Sequence, residues 1–159
     1  MEIAMSFRVT GLDPAPFRNL YGLADEELQG FGVRRLIADS KPGFPDRVEL
    51  RDVDKGEALL LLNYLHQPAD TPYKASHAIF VREWAETPCR VLDETPEVLW
   101  IRPISLRAFD DKGDMIDADL TGGGDLKPAI ERLFANPAAA YIHAYYAKRG
   151  CYAARIDRA

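Results

Sequence analysis

Residues 141–159 read YIHAYYAKRGCYAARIDRA, and the way they fold back at Lys148-Arg149-Gly150 decides the architecture. Two strand-like runs flank a three-residue loop that ends in glycine. Such a loop puts its last residue in the left-handed region, where glycine escapes a Cβ clash. With that loop, Ala147 faces Cys151 and His143 faces Arg155. Tyr141, His143, Tyr145, Cys151, Arg155 and Asp157 then share one face. Ile142, Ala144, Tyr146, Tyr152, Ala154 and Ile156 share the other, and a slip of one residue would exchange them. The competing reading is a helix over 138–148, because three alanines open it.

The same device recurs at Asp54-Lys55-Gly56 and Asp111-Lys112-Gly113. Three such signals predict an α+β fold: an antiparallel, hairpin-rich sheet with two or three short helices, in a single domain spanning 1–159. Residues 5–11 alternate apolar and polar side chains and read as a half-buried strand. Asp13-Pro14 and Asp25-Glu26 are helix starts, the second stopped by Gly30 and Gly32. A helix opens at Asp125, buries Ile130, Leu133 and Phe134, and ends at Asn136-Pro137. Residues 79–82 and 99–109 read as strands, the latter bent at Pro103. Residues 41–45, 67–77 and 87–96 carry prolines and read as connections.

With 159 residues, 47% hydrophobic and 28% charged, the chain has enough apolar surface for a core without disulfide or metal. A net charge of −5 argues against a nucleic-acid partner but leaves twenty Lys and Arg for a local cationic pocket. The longest apolar run, 58–62, is too short for a membrane span. The opening MEIAMSFRVT lacks the pattern of an export leader, and Cys89 and Cys151 form no CxxC pair. A cytoplasmic protein with free thiols is the expectation. Cofactor and oligomeric state stay unassigned.

Five blocks are distinctive in combination: KPGFPDRVEL (41–50), GEALLLLNYLHQ (56–67), PYKASHAIFVRE (72–83), SLRAFD (105–110) and the closing hairpin. Together they resemble the bacterial domain-of-unknown-function family 1203, over residues 7–158. The resemblance implies a stand-alone bacterial domain and brings no catalytic signature. In that family's pattern a cysteine often follows PGFP, where this chain has Asp46. A second histidine often stands two residues after the first in the hairpin, where this chain has Tyr145. A cysteine pair or a His-x-His metal clamp is therefore not what this chain offers.

The chemistry-bearing set is a cationic and aromatic face of His143, Tyr145, Cys151 and Arg155, which Arg82 and Arg107 are expected to join from neighbouring strands. Arginine forks suit carboxylate or phosphate, and histidine changes charge near neutrality. Tyr73, Ser76 and His77 form a loop able to cover a ligand with hydroxyl and imidazole groups. The expected partner is a small-molecule anion, and the function is binding. One alternative is a hydrolase or transferase using Cys151 or His143, although in the expected register those two lie four pairs apart along the ladder. Another is an interaction module that dimerises through an exposed Tyr145. The plain alternative is an ordinary solvated sheet face. His66, His77 and His143 lack HxH or HExxH spacing, so no metal ligands are assigned, and His66 reads as a surface residue at a strand end. Gly122-Gly123-Gly124 lacks a phosphate-loop pattern and reads as a turn into a capped helix. Asp93, Glu94 and Glu97 read as surface charge.

Overall fold

The computed structural model describes residues 5–159 and shows an α+β fold with two antiparallel sheets. Residues 1–4, the start of the stretch read as lacking a leader, lie outside the described residues. The larger sheet contains β1 (Phe7–Thr10), β5 (Arg90–Leu92), β6 (Ile104–Phe109), β7 (Met115–Thr121), β8 (Tyr141–Tyr146) and β9 (Cys151–Arg158). Its order is β5-β1-β9-β8-β6-β7. The smaller sheet is β2 (Arg34–Ile37), β3 (Ala58–Gln67) and β4 (Ala75–Arg82), in that order. Three helices complete the fold: α1 (Asp25–Gly30), α2 (Glu97–Trp100) and α3 (Leu126–Phe134). No helix among the described residues is long and apolar enough to cross a membrane.

Alternation along the strands gives each sheet its apolar face. Val9, Leu106, Ile142 and Ile156 of the larger sheet pack against Leu126, Ile130, Leu133 and Phe134 of α3. Each of these side chains adds about 1.5–3 kcal/mol on burial. In the smaller sheet, Leu60, Leu62, Ile79 and Val81 pack on Phe17, Tyr21 and Leu28. The opposite face of the larger sheet carries aromatic and charged residues instead, and the ends of β3 and β4 reach it.

Several expectations need correction. The closing hairpin pairs Tyr146 with Cys151, so its loop has four residues, 147–150, rather than three. Ala153 is then the surplus residue of a bulge, and His143 still faces Arg155. The bulge exchanges faces at the start of β9: Cys151 packs against the α3-side core, and Tyr152 joins His143. Asp54-Lys55-Gly56 makes no hairpin, because β3 pairs with β2, which lies before that turn. Residues 99–103 do not extend β6, since Pro96 starts the single helical turn α2 there. Residues 87–96 are no plain loop: β5 lies within them and pairs with β1. Likewise β4 begins at Ala75, which puts Ser76 and His77 on a strand. The helix considered over 138–148 gives way to β8.

The sheets are joined through residues 45–48. Asp46 bridges Phe80 in parallel, and the Arg47 N–H donates to the Phe80 carbonyl (3.1 Å). The Arg47 carbonyl accepts from Leu12 N–H (2.8 Å), just past β1, and the Val48 carbonyl accepts from Cys89 N–H (2.8 Å), just before β5. Gly11 makes this approach feasible, because a Cβ there would lie 1.9 Å from the Val48 carbonyl oxygen. Gly11→Ala is therefore expected to destabilise the protein by about 3 kcal/mol in urea denaturation, through forced backbone displacement at the seam. Gly150→Ala, at φ 76° with nothing near its Cβ, should cost only about 1–2 kcal/mol. Equal losses would show that the seam yields more easily than its packing implies.

Candidate functional site

Across three adjacent strands, Arg107 of β6 faces His143 of β8, and His143 faces Arg155 of β9. The pairing puts imidazole between two guanidinium groups on one face of the larger sheet. Tyr145 and Tyr152 form the next rung. Over them stand His66 from the end of β3 and His77 from β4, so all three histidines of the chain converge. His66 is stacked between His77 and Tyr152, with ring centroids 4.5 and 4.9 Å away, and meets His143 edge-on at 5.9 Å. Tyr145 stands perpendicular to both His66 (5.5 Å) and His77 (5.8 Å). The Arg107 guanidinium lies 3.9 Å above the Tyr145 ring and that of Arg155 lies 4.3 Å above Tyr141. The Tyr141 hydroxyl accepts from the Gln67 side chain at 2.9 Å.

This environment keeps the histidines uncharged. His143 is 2% exposed, and burial, His66 and the two arginines push it down to about 3. Burial, then His77 and Arg107, pushes His66 down to about 4. His77 is lowered too, by burial and then by Arg107 and Arg47. Burial raises the Tyr145 hydroxyl to about 12 against the opposing pull of Arg107. A neutral imidazole has one N–H and one lone pair. His77 Nδ1 accepts from Tyr152 N–H at 3.1 Å, which leaves its proton on Nε2. His143 Nδ1 shares a 3.3 Å hydrogen bond with the Tyr145 hydroxyl. His66 is 7% exposed, and neither of its buried ring nitrogens has a hydrogen-bond partner among the described residues. An open cleft of about 270 Å³ reaches this ring, bounded by Asp13, Tyr64, His66, His143, Tyr152 and Arg155.

Of the residues the sequence singled out, His77, Arg107, His143, Tyr145 and Arg155 come together. Tyr73 lies in the connection before β4, edge-on to Phe109 at 6.5 Å, and Ser76 is exposed on β4. Arg82 stands at the far end of β4, where its Nε donates to Glu49 at 2.5 Å. Cys151 leaves the cluster through the bulge, and its Sγ accepts from Arg47 at 3.1 Å. Tyr145 is 1% exposed, so it presents no surface for dimerisation. Nor is His66 a surface residue, and with Tyr152, Tyr141 and Gln67 it was missed as part of the cluster. No local pattern marks His66 as buried; its neighbours arrive from the other sheet. No group of three His, Cys, Asp or Glu among the described residues is disposed to hold a metal ion. Stacking of His66 on His77, with 21° between the rings, aims their edges past a common point.

A family model described as a protein of unknown function (DUF1203) matches residues 43–158, and the chain belongs to that family. The matched span contains every residue of the histidine and tyrosine cluster, whereas β1, β2 and α1 precede it. No curated protein and no solved structure matches the chain.

The buried histidines fix a sign for the pH dependence of stability. In the unfolded chain each takes up a proton near pH 6.5, whereas the folded His66 and His143 hold out to about 4 and about 3. Between these values the unfolded state binds more protons. Their contribution is complete above pH 6.5 and is lost as the pH falls. The loss amounts to about 1.4 kcal/mol per pH unit for each such histidine. His143→Gln should therefore flatten the urea-derived stability profile by about one proton's slope between pH 6 and about pH 5. Parallel profiles would mean that the folded protein protonates His143 as readily as the unfolded chain does.

Proposed function

We propose that the histidine cleft binds a small organic anion carrying a carboxylate or phosphate group. The observation that carries this reading is His66, an uncharged ring at the cleft wall with a donor and an acceptor both buried and both unpaired. Such a group costs about 1–3 kcal/mol until a partner arrives. Arg155 supplies the charge at the mouth. Its Nε is taken by Asp157 (3.0 Å), and its terminal nitrogens have no hydrogen bond among the described residues, so they are available to a ligand. Arg107 adds a second positive charge close to His66, His77 and His143. Because the histidines are neutral, they offer hydrogen bonds while the arginines carry the attraction, a division suited to an anion that also bears a hydroxyl or carbonyl. The two unpaired thiols support a cytoplasmic setting.

Thermal unfolding in the presence of malate, succinate and inorganic phosphate tests the reading, since a ligand that binds only the native state raises the midpoint. At least one probe should stabilise the protein. Arg155→Ala should weaken it about tenfold to a hundredfold, the worth of a charge-assisted hydrogen bond. Arg82→Ala, outside the cleft, should keep the full ligand-induced shift. The reading is lost if none of the three anions stabilises the protein, or if Arg155→Ala responds as the unaltered chain does.

A further inference from the structure

A second concave region lies at the turn of the closing hairpin. Tyr146, at the end of β8, is 5% exposed, and its ring is held between two guanidinium groups, Arg47 at 4.8 Å and Arg102 at 5.4 Å. Its hydroxyl is buried and has no partner among the described residues, and burial raises its ionisation so that it stays a donor. Around it opens a cavity of about 180 Å³ lined by Arg47, Arg102, Tyr146, Lys148, Arg149 and Cys151, with Phe80 and Pro103 as apolar walls. A neighbouring cavity of about 200 Å³ shares Arg47, Phe80, Arg149 and Cys151, so the two form one groove. His77, a member of the histidine cluster, also lines the second of these cavities, but no residue of the groove lines the 270 Å³ cleft itself.

The charge balance of this groove is one-sided. Asp52 holds Arg102 through both oxygens, at 2.6 and 3.1 Å. Arg47, Lys148 and Arg149 have no ion-pair partner among the described residues, and no carboxylate lines either cavity. Arg47 is 1% exposed, with its bonds going to the Pro45 and Tyr152 carbonyls and to the Cys151 sulfur. A buried cation of this kind gains from an anion close by. In a chain of net charge −5, three uncompensated cations around one groove concentrate a positive potential there.

We propose that this groove is a second binding site, specific for a phosphate monoester. The doubly charged phosphate would sit among Lys148, Arg149 and the Arg47–Arg102 pair and accept the Tyr146 hydroxyl proton in a hydrogen bond. The organic part lies along Phe80 and Pro103. A tetrahedral group with three free oxygens matches several converging donors, and its charge matches the local excess better than a single carboxylate does.

Calorimetric titration at fixed ionic strength tests this in the Arg155→Ala protein, whose histidine cleft is disabled. Phenyl phosphate should bind more tightly than inorganic phosphate, and benzoate should bind weakest. Lys148→Ala/Arg149→Ala changes two exposed residues of the turn and should weaken phenyl phosphate at least about tenfold without moving the thermal midpoint. Tyr146→Phe should weaken it several-fold while leaving stability equal or higher, because it removes a hydroxyl that has no partner. Bound phenyl phosphate should also slow iodoacetamide labelling of Cys151 but not of Cys89. The proposal is overturned by absence of phenyl phosphate binding, by benzoate binding as tightly, by an unchanged affinity in the double variant, or by equal labelling of Cys151 with and without ligand. Tighter binding of inorganic phosphate than of the ester overturns the monoester assignment.

Discussion

The fold has to bury the Arg47 guanidinium without a carboxylate beside it. Removing such a charge from water costs several kcal/mol. Two carbonyls, the Cys151 sulfur and the faces of Tyr146 and Phe80 offset that cost. Those partners belong to different parts of the chain: Pro45 to the connection, Phe80 to β4, Tyr146 to β8, Cys151 and Tyr152 to β9. The backbone of the same residue spans β4 and the segment after β1. Arg47 is thus the point at which the two sheets are held in one orientation, and everything that depends on that orientation depends on it.

The bulge in β9 links this point to the histidine cluster. Tyr152 donates its N–H to His77 Nδ1 and offers its carbonyl to Arg47, so its main chain serves β4 and the seam together. The same irregularity turns its ring onto His66 and His143. A regular ladder would have put Cys151 there and Tyr152 in the helix-side core. The geometry of the cluster therefore follows from a surplus residue, Ala153, whose small side chain fits the buried position it occupies.

What could be read from the sequence divides along the same line. Pairing of His143 with Arg155, the helix at 126–134 and the turn glycines at 113 and 150 rest on local rules of period and left-handed backbone, and these hold in the structure, although Asp125 makes no side-chain cap bond among the described residues. Arg107 beside His143 required only that β6 and β8 be neighbours. The face of Cys151 was misread because a four-residue loop plus a bulge preserves the His143 register while reversing the residues next to the turn. The burial of His66 was beyond local rules altogether. It sits at the end of an apolar strand before a proline, as a surface residue would, and only the packing of one sheet on the other buries it.

The two polar regions of the molecule differ in how they answer the same problem. In the cluster, burial, then the neighbouring histidines and arginines, remove the histidines' charge, so the imidazoles remain as neutral donors and acceptors with positive charge at the margins. At the hairpin turn the positive groups are the guanidiniums of Arg47 and Arg149 and the exposed ammonium of Lys148, with no carboxylate among the described residues lining the groove. His77 of β4 lines the groove, Tyr152 of β9 lines the cleft, and the hydrogen bond between them adjoins both regions, with Arg47 bound to the Tyr152 carbonyl. A contact between β4 and β9 thus adjoins both concavities. The Arg47 guanidinium supports that contact by holding the Tyr152 carbonyl.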